Sequence, residues 1–282
     1  MIYSKLGKSK TCFWVNPTSL RKFIFGGGKG TPLPQVAKET ERLAACTTYE
    51  IGSELMFFGM LMEQFKGGTL HYYLVVDTSG SMQDQMHEVL QELRAHWAEL
   101  TRLASEGKEM RVSVLKFDSS LHWMLERAVP DGSDVFAERR FVPQGGTALF
   151  DAVGQALERA AFDWIFSAVP TADGNDFEDH PDTEVVVMVF SDGGENRSRK
   201  YGAEELGFLL ESYQNKKGWT VGFTGCDWAG IQGLRSGKMR EDRMVQFGAN
   251  EKGKAVRFMA SFVEENIKKG GKFHEQNFRK NA

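Results

Sequence analysis

The sequence predicts an α/β fold: a mostly parallel six-stranded sheet with one antiparallel edge strand and helices on both faces. Three observations lead there. Between residues 68 and 270, short apolar runs alternate with longer segments of helical periodicity, the pattern of strand–helix–strand crossovers. Tyr72–Val76 and Glu184–Phe190 are apolar with little alternation, as strands covered on both faces should be. Val112–Phe117 and Leu121–Ala128 are joined only by Asp118-Ser119-Ser120, which reads as a hairpin at an edge. The whole is a doubly wound, Rossmann-like arrangement.

The elements follow in order. Residues 1–34 carry six Lys/Arg and no Asp/Glu, and Gly26–Pro34 disfavours helix and strand alike. This stretch is expected to be a basic, poorly ordered tail. Residues 35–67 hold helix formers with apolar spacing at Leu43, Ile51, Leu55, Phe58 and Met62, so a helical extension is expected, closed by Gly67-Gly68. After the first strand, Met82–Ser105 has Met86, Val89, Leu93, Trp97 and Leu100 at helical spacing, with Gly107 past its end. Thr147–Phe166 is the next helix, followed by an acidic loop over residues 170–183. Glu184–Phe190 is the most β-branched run and is expected at the centre of the sheet. Ala203–Asn215 (helix), Trp219–Thr224 (strand), Ala229–Arg235 (short helix), Met244–Phe247 (strand) and Lys252–Ile267 (helix) complete the domain at 68–270, leaving a basic tail at 271–282.

Composition narrows the function classes. With 282 residues, 41% hydrophobic and 26% charged, the chain can build a full core and is globular in type. The net charge of −3 conceals basic ends around an acidic middle; short basic tails usually only solubilise, and no nucleic-acid partner is expected. Cys12, Cys46 and Cys226 are odd in number and not closely paired. That pattern suits a reducing cytoplasm better than a disulfide framework. The start lacks the apolar stretch of a signal peptide and no run is long enough to span a membrane, so no membrane partner is expected.

The chemistry is concentrated where strands meet helices. VVDTSGSM places Asp77, Ser79 and Ser81 after the first strand, QGGTALFDA places Thr147 at the start of a helix, and VVVMVFSDGGEN places Asp192 after a later strand. In an open α/β sheet the carboxyl ends of the strands form the ligand crevice. Two carboxylates and three hydroxyls, without thiol or imidazole, make a set of hard oxygen donors suited to Mg²⁺, or to Mn²⁺ or Ca²⁺, and not to zinc. Taken singly, each piece has a plainer reading: Ser81 would cap a helix starting at Met82, and Thr147 would cap its own. The ordered occurrence of all three at the crossings favours a shared site.

The D-x-S-G-S run, the Gly-Gly-Thr turn and the strand-terminal Asp-Gly resemble the metal-ion-dependent adhesion site (MIDAS) of the von Willebrand factor type A (vWA) family, over roughly residues 68–268. KGWTVGFTGCDWAGI and FGANEKGKAVRFMASFVEE are similar to small intracellular bacterial or phage members. The resemblance implies that Ser79, Ser81 and Thr147 ligate a metal directly or nearly so, and that Asp77 and Asp192 do so directly or through water. It implies a non-enzymatic module whose metal captures an Asp or Glu of a partner protein, in the cytoplasm, with service as adaptor to a separate AAA+ ATPase complex as one form of that role. Two other readings compete. One is adhesion at a surface or on a virion through the same site. The other is a Mg²⁺-dependent phosphatase with Asp77 as nucleophile, disfavoured because the acid/base position two residues on is Ser79.

Weaker signals have plainer explanations. Asp173–Asp182 lacks the terminal Glu of a calcium loop, His71 in a strand is expected to be packed, and the tryptophans within elements are expected in the core. The Gly26–Gly30 stretch lacks the phosphate-loop pattern.

Overall fold

The computed structural model describes residues 2–6, 9–13, 69–166, 183–225, 232, 234–236 and 238–270. The chain divides into two compact units, residues 1–63 and 64–282. In the first, β1 (Ile2–Leu6) pairs antiparallel with β2 (Ser9–Phe13), Ile2 opposite Phe13 and Leu6 opposite Ser9. A strand pair therefore stands where a poorly ordered tail is expected. The sequence signal for it, two five-residue runs separated by Gly7-Lys8, is of the kind that marks hairpins and is masked by the charge count. The expected helices at 35–67, the acidic loop, most of the short helix at 229–235 and the tail at 271–282 lie outside the described residues.

The second unit is built from β3 (Leu70–Asp77), α1 (Met86–Ser105), β4 (Met110–Phe117), β5 (Leu121–Ala128), α2 (Leu149–Phe166), β6 (Glu184–Ser191), α3 (Ala203–Tyr213), β7 (Trp219–Gly225), β8 (Met244–Gln246) and α4 (Lys252–Lys268). The sheet runs β5-β4-β3-β6-β7-β8, with β4 and β5 antiparallel and every other neighbour parallel, as the sequence predicts. β3 and β6 lie adjacent at the centre, and both are almost entirely buried.

Alternation of side chains across the strands divides the core between two helical layers. Tyr72, Leu74 and Val76 of β3 join Val89, Leu93 and Leu100 of α1 and Val256, Met259 and Val263 of α4 in one apolar cluster. From the opposite face of β3, the Tyr73 hydroxyl donates to Asp163 of α2 at 2.6 Å. Asp163 has no exposed side-chain surface and also meets Arg159 at 3.2 Å and Arg127 at 3.7 Å. His71 is packed as expected, and burial, with Arg127 and Arg111 nearby, pushes its imidazole down to about 4. Trp97 and Trp219 are likewise buried.

Two helix starts differ from the sequence reading, and both differences concern the crevice. Helix α1 begins at Met86, because Gly80–Met82 forms a 3₁₀ turn in which Met82 N–H donates to the Ser79 carbonyl at 3.0 Å. Helix α2 begins at Leu149, and the Thr147 N–H is held by Asn196 Oδ1 at 2.9 Å. Neither Ser81 nor Thr147 serves as the helix cap the plainer reading requires: the residue preceding α1 is Gln85.

Candidate metal centre

Because β3 and β6 are parallel neighbours, their carboxyl ends open side by side. In register, Val76 lies opposite Phe190, so Asp77 and Ser191 leave the sheet together. The Ser191 hydroxyl donates to Asp77 Oδ2, while the Ser79 N–H donates to Oδ1 at 2.7 Å. The tight turn that follows brings Ser79 Oγ and Ser81 Oγ to 3.1 Å from each other. Ser81 Oγ then donates to Asp192 Oδ1 at 2.8 Å, linking the loop after β3 to the loop after β6.

Thr147 enters from a third segment, positioned by residues on both sides. Thr78 N–H and its hydroxyl bind the Phe117 carbonyl, Gln144 N–H binds the Thr78 carbonyl, and Gly80 N–H reaches the Gly145 carbonyl at 3.2 Å. Gly145 has φ +65°, and a Cβ there would stand 2.7 Å from Ser119 Oγ, so only glycine fits without strain. Ser119 Oγ in turn accepts the Gly146 N–H at 2.8 Å. The Thr147 carbonyl accepts the N–H groups of Asn196 and Arg197. A Cβ at Gly193 would lie 3.1 Å from Thr147 Oγ1 and 3.7 Å from Ser81 Oγ, so both hydroxyls stand beside this glycine. Among the described residues Thr147 Oγ1 makes no hydrogen bond.

Beyond the crevice, the start of α2 and the loop after β6 cap one another. Glu195 accepts the Phe150 N–H at 2.8 Å, and Ser198 Oγ accepts that of Asp151 at 2.9 Å. Asp151 returns the interaction, accepting the N–H groups of Arg199, Lys200 and Tyr201, each at 2.9 Å. Carboxylates at a helix N-terminus are favoured by its dipole and its unpaired N–H groups. The donors themselves are sunk: Asp77, Ser79 and Thr147 are almost fully buried and Asp192 is 8% exposed, whereas Ser81 is exposed. Burial pushes the Asp77 carboxyl up to about 6 against the lowering influence of Ser191 and Ser79, and the charge of Asp192 adds to the rise.

No family model matches this chain, and no curated protein does. Among solved structures, the vWF domain of the type V pili tip protein Mfa5 from Porphyromonas gingivalis matches with a TM-score of 0.51. The match has 11% identity and covers 71% of this chain and 97% of that one. The fold is that of a vWA domain.

Other vWA-fold neighbours include a von Willebrand factor type A protein from Catenulispora acidiphila (TM-score 0.46, 14% identity, 68% of this chain and 42% of that one). The PilB minor pilin from Streptococcus sanguinis is another (TM-score 0.48, 12% identity, 74% and 64%). The chain thus spans less than two thirds of each of these two proteins. Of the five residues that the vWA resemblance names, Asp77, Ser79, Ser81 and Asp192 are joined by the hydrogen bonds given above, and the Thr147 hydroxyl stands beside Gly193 with that of Ser81.

The donor chemistry fits a small hard cation. Magnesium holds oxygens at about 2.0 to 2.1 Å in an octahedron, which sets neighbouring ligand oxygens about 2.9 Å apart. The Ser79–Ser81 and Ser81–Asp192 separations, 3.1 and 2.8 Å, are of that size. Among the described residues no group of three or more His, Cys, Asp or Glu comes together to hold a metal, so the hydroxyls are indispensable to any such site. Among those residues, too, no helix is long and apolar enough to cross a membrane.

Several residues at the crevice escape the sequence reading. Ser191, Ser119, Asn196 and Glu195 are ordinary loop residues until the strands are ordered; only the proximity of Glu195 and Asn196 to Asp192 in the sequence hinted at them. Lys252 carried no signal at all. From the first turn of α4, its ammonium pairs with Asp192 Oδ2 and donates to the Ser81 carbonyl at 2.6 Å.

Proposed function

We propose that this chain is a divalent-metal-dependent protein-binding module of the MIDAS type. In this reading Ser79, Ser81 and Thr147, with Asp77 and Asp192, hold Mg²⁺, and an Asp or Glu of a partner protein completes the coordination. When bound, the metal supplies a Lewis-acidic centre for that carboxylate. The protein's own residues do the rest. The short turn at Gly80–Met82 aligns two hydroxyls, Asn196 fixes the Thr147 backbone, and burial keeps competing water from the carboxylates. The carrying observation is the meeting of the loops after β3 and β6, whose oxygens stand at spacings suited to an octahedral cation, with Thr147 entering from a third segment and its hydroxyl making no hydrogen bond among the described residues.

The rim suits an acidic partner. Arg197 is exposed, forms no ion pair among the described residues, and lies over Gly146, where a Cβ would come within 2.6 Å of its Cγ. Val142 is 58% exposed in the segment leading to Thr147. A phosphatase role is disfavoured by the same geometry. Asp77 is fully buried with both oxygens engaged, and Ser79, bonded to Ser81, is no proton shuttle. A cytoplasmic setting, supported by the cysteine pattern of the sequence, and service to a separate AAA+ ATPase, supported by the sequence resemblance, are the finer form of the proposal.

Calorimetric titration of Mg²⁺ and Mn²⁺ into the wild type, Asp77→Ala and Thr147→Ala tests the reading. Binding by the wild type and its loss in both folded variants is expected. Partner capture is then compared with Mg²⁺ and with chelator. A wild type that takes up neither ion at millimolar concentration, or capture indifferent to chelator and to both substitutions, refutes it.

A further inference from the structure

Lys252 is the charged group closest to the five donors that the proposed function does not use. Its side chain is 7% exposed, and it reaches the crevice from behind, bridging the free oxygen of Asp192 and the backbone of Ser81. Gln85 fixes its position: the Gln85 side-chain oxygen accepts the Lys252 N–H at 3.1 Å and its amide donates to the Ala249 carbonyl at 3.0 Å. A buried ammonium is retained only where it is paired, and here its pair is one of the two site carboxylates.

We infer that Lys252 is a built-in counter-charge that weakens the hold of the site on a bare divalent cation and couples metal binding to capture of an anionic group. The inference rests on the metal-binding reading above. Asp77 and Asp192 bring two negative charges and Lys252 returns one positive, so a bound dication leaves the centre with a net positive charge. A carboxylate entering from a partner cancels it. Without Lys252 the two aspartates alone neutralise the metal, and the incoming anion gains less. Because the groups are sunk from solvent, these charges are poorly screened.

The test is a Mn²⁺ titration of the full chain, followed by the resonance signal of the free ion, in excess sodium acetate and in sodium chloride of matched ionic strength. Wild type, Lys252→Met, Lys252→Gln and Lys252→Arg are compared, with circular dichroism to verify folding. In chloride, Lys252→Met is expected to bind Mn²⁺ about tenfold more tightly than wild type. Its acetate-induced gain in affinity shrinks, and Lys252→Arg stays near wild type. Lys252→Gln keeps a donor toward Asp192 and the Ser81 carbonyl while removing the charge, and supplies the same comparison if the methionine variant does not fold. A folded neutral variant that binds Mn²⁺ no more tightly than a binding-competent wild type overturns the role of Lys252 and leaves the metal site standing. Absence of Mn²⁺ uptake by the wild type and every variant overturns the metal reading itself, and this inference with it.

Discussion

Replacing Asp77 with asparagine should stabilise the metal-free protein while abolishing its affinity for metal. The Asp77 carboxyl is buried at the end of the central strand, and its pKa is raised from 3.8 to about 6, chiefly by burial. A carboxyl that holds its proton more tightly when folded favours folding most below its unfolded pKa, and that advantage is lost as pH rises through about 6. About two pKa units correspond to about 3 kcal/mol, so the wild type in chelator should lose stability of that order between about pH 4 and about pH 7. The amide removes this dependence at little cost in hydrogen bonds. Its oxygen can keep the Ser79 N–H, and the Ser191 hydroxyl, 3.3 Å from the Gly193 carbonyl, can turn its proton there and accept from the amide nitrogen. For a domain of about 200 residues, each kcal/mol moves the melting temperature by about 2 to 4 °C. Asp77→Asn should therefore melt about 6 to 12 °C above the wild type at about pH 8 in EDTA, and close to it at about pH 4. Saturating Mg²⁺, at about one hundred times Kd, should return about 2.7 kcal/mol to the wild type and little to the variant. Scanning calorimetry across pH, with chelator and with Mg²⁺, reads all of this. A variant less stable than the wild type at about pH 8 without metal would show that the buried charge is not a burden, and the reasoning would fail.

Four further substitutions probe the scaffold. Gly145→Ala forces a Cβ onto a backbone at φ +65° and against Ser119 Oγ; a loss of about 2 to 3 kcal/mol in urea unfolding is expected, with weaker metal binding. Asp163→Ala leaves the Tyr73 hydroxyl, Arg159 and Arg127 without their buried acceptor and should cost about 3 to 5 kcal/mol by the same measurement, whereas Tyr73→Phe should cost about 1 to 2 kcal/mol. Asp151→Ala frees the N–H groups of Arg199, Lys200 and Tyr201; hydrogen exchange at these three amides should accelerate about tenfold or more, with the β3 amides unchanged.

The sheet was readable from the sequence because its information is local. A run such as Leu74-Val75-Val76 is stable only when covered on both faces, and Asp118-Ser119-Ser120 leaves the chain room only to turn back, so strand types and the antiparallel edge follow from composition and spacing. That Asp77, Ser79, Ser81, Thr147 and Asp192 gather at one end of the sheet was legible for a related reason: each follows a glycine turn or a strand end, and crossovers deliver those points to the carboxyl ends of the strands. The start of α1 was misplaced because the 3.6-residue period of Met82, Met86 and Val89 continues through a turn whose geometry is set by Ser79, Ser81 and Asp192, which are distant in sequence.

What only the tertiary structure decided is which neutral-looking residues serve the crevice. Nothing local marks Asn196 as the group that holds Thr147, or Lys252 as the partner of Asp192, 60 residues away. Periodicity reports which way a side chain faces relative to its own element, but an ion pair or a cap depends on the distance between elements. That distance exists only once β3 and β6 lie side by side and α4 packs across them.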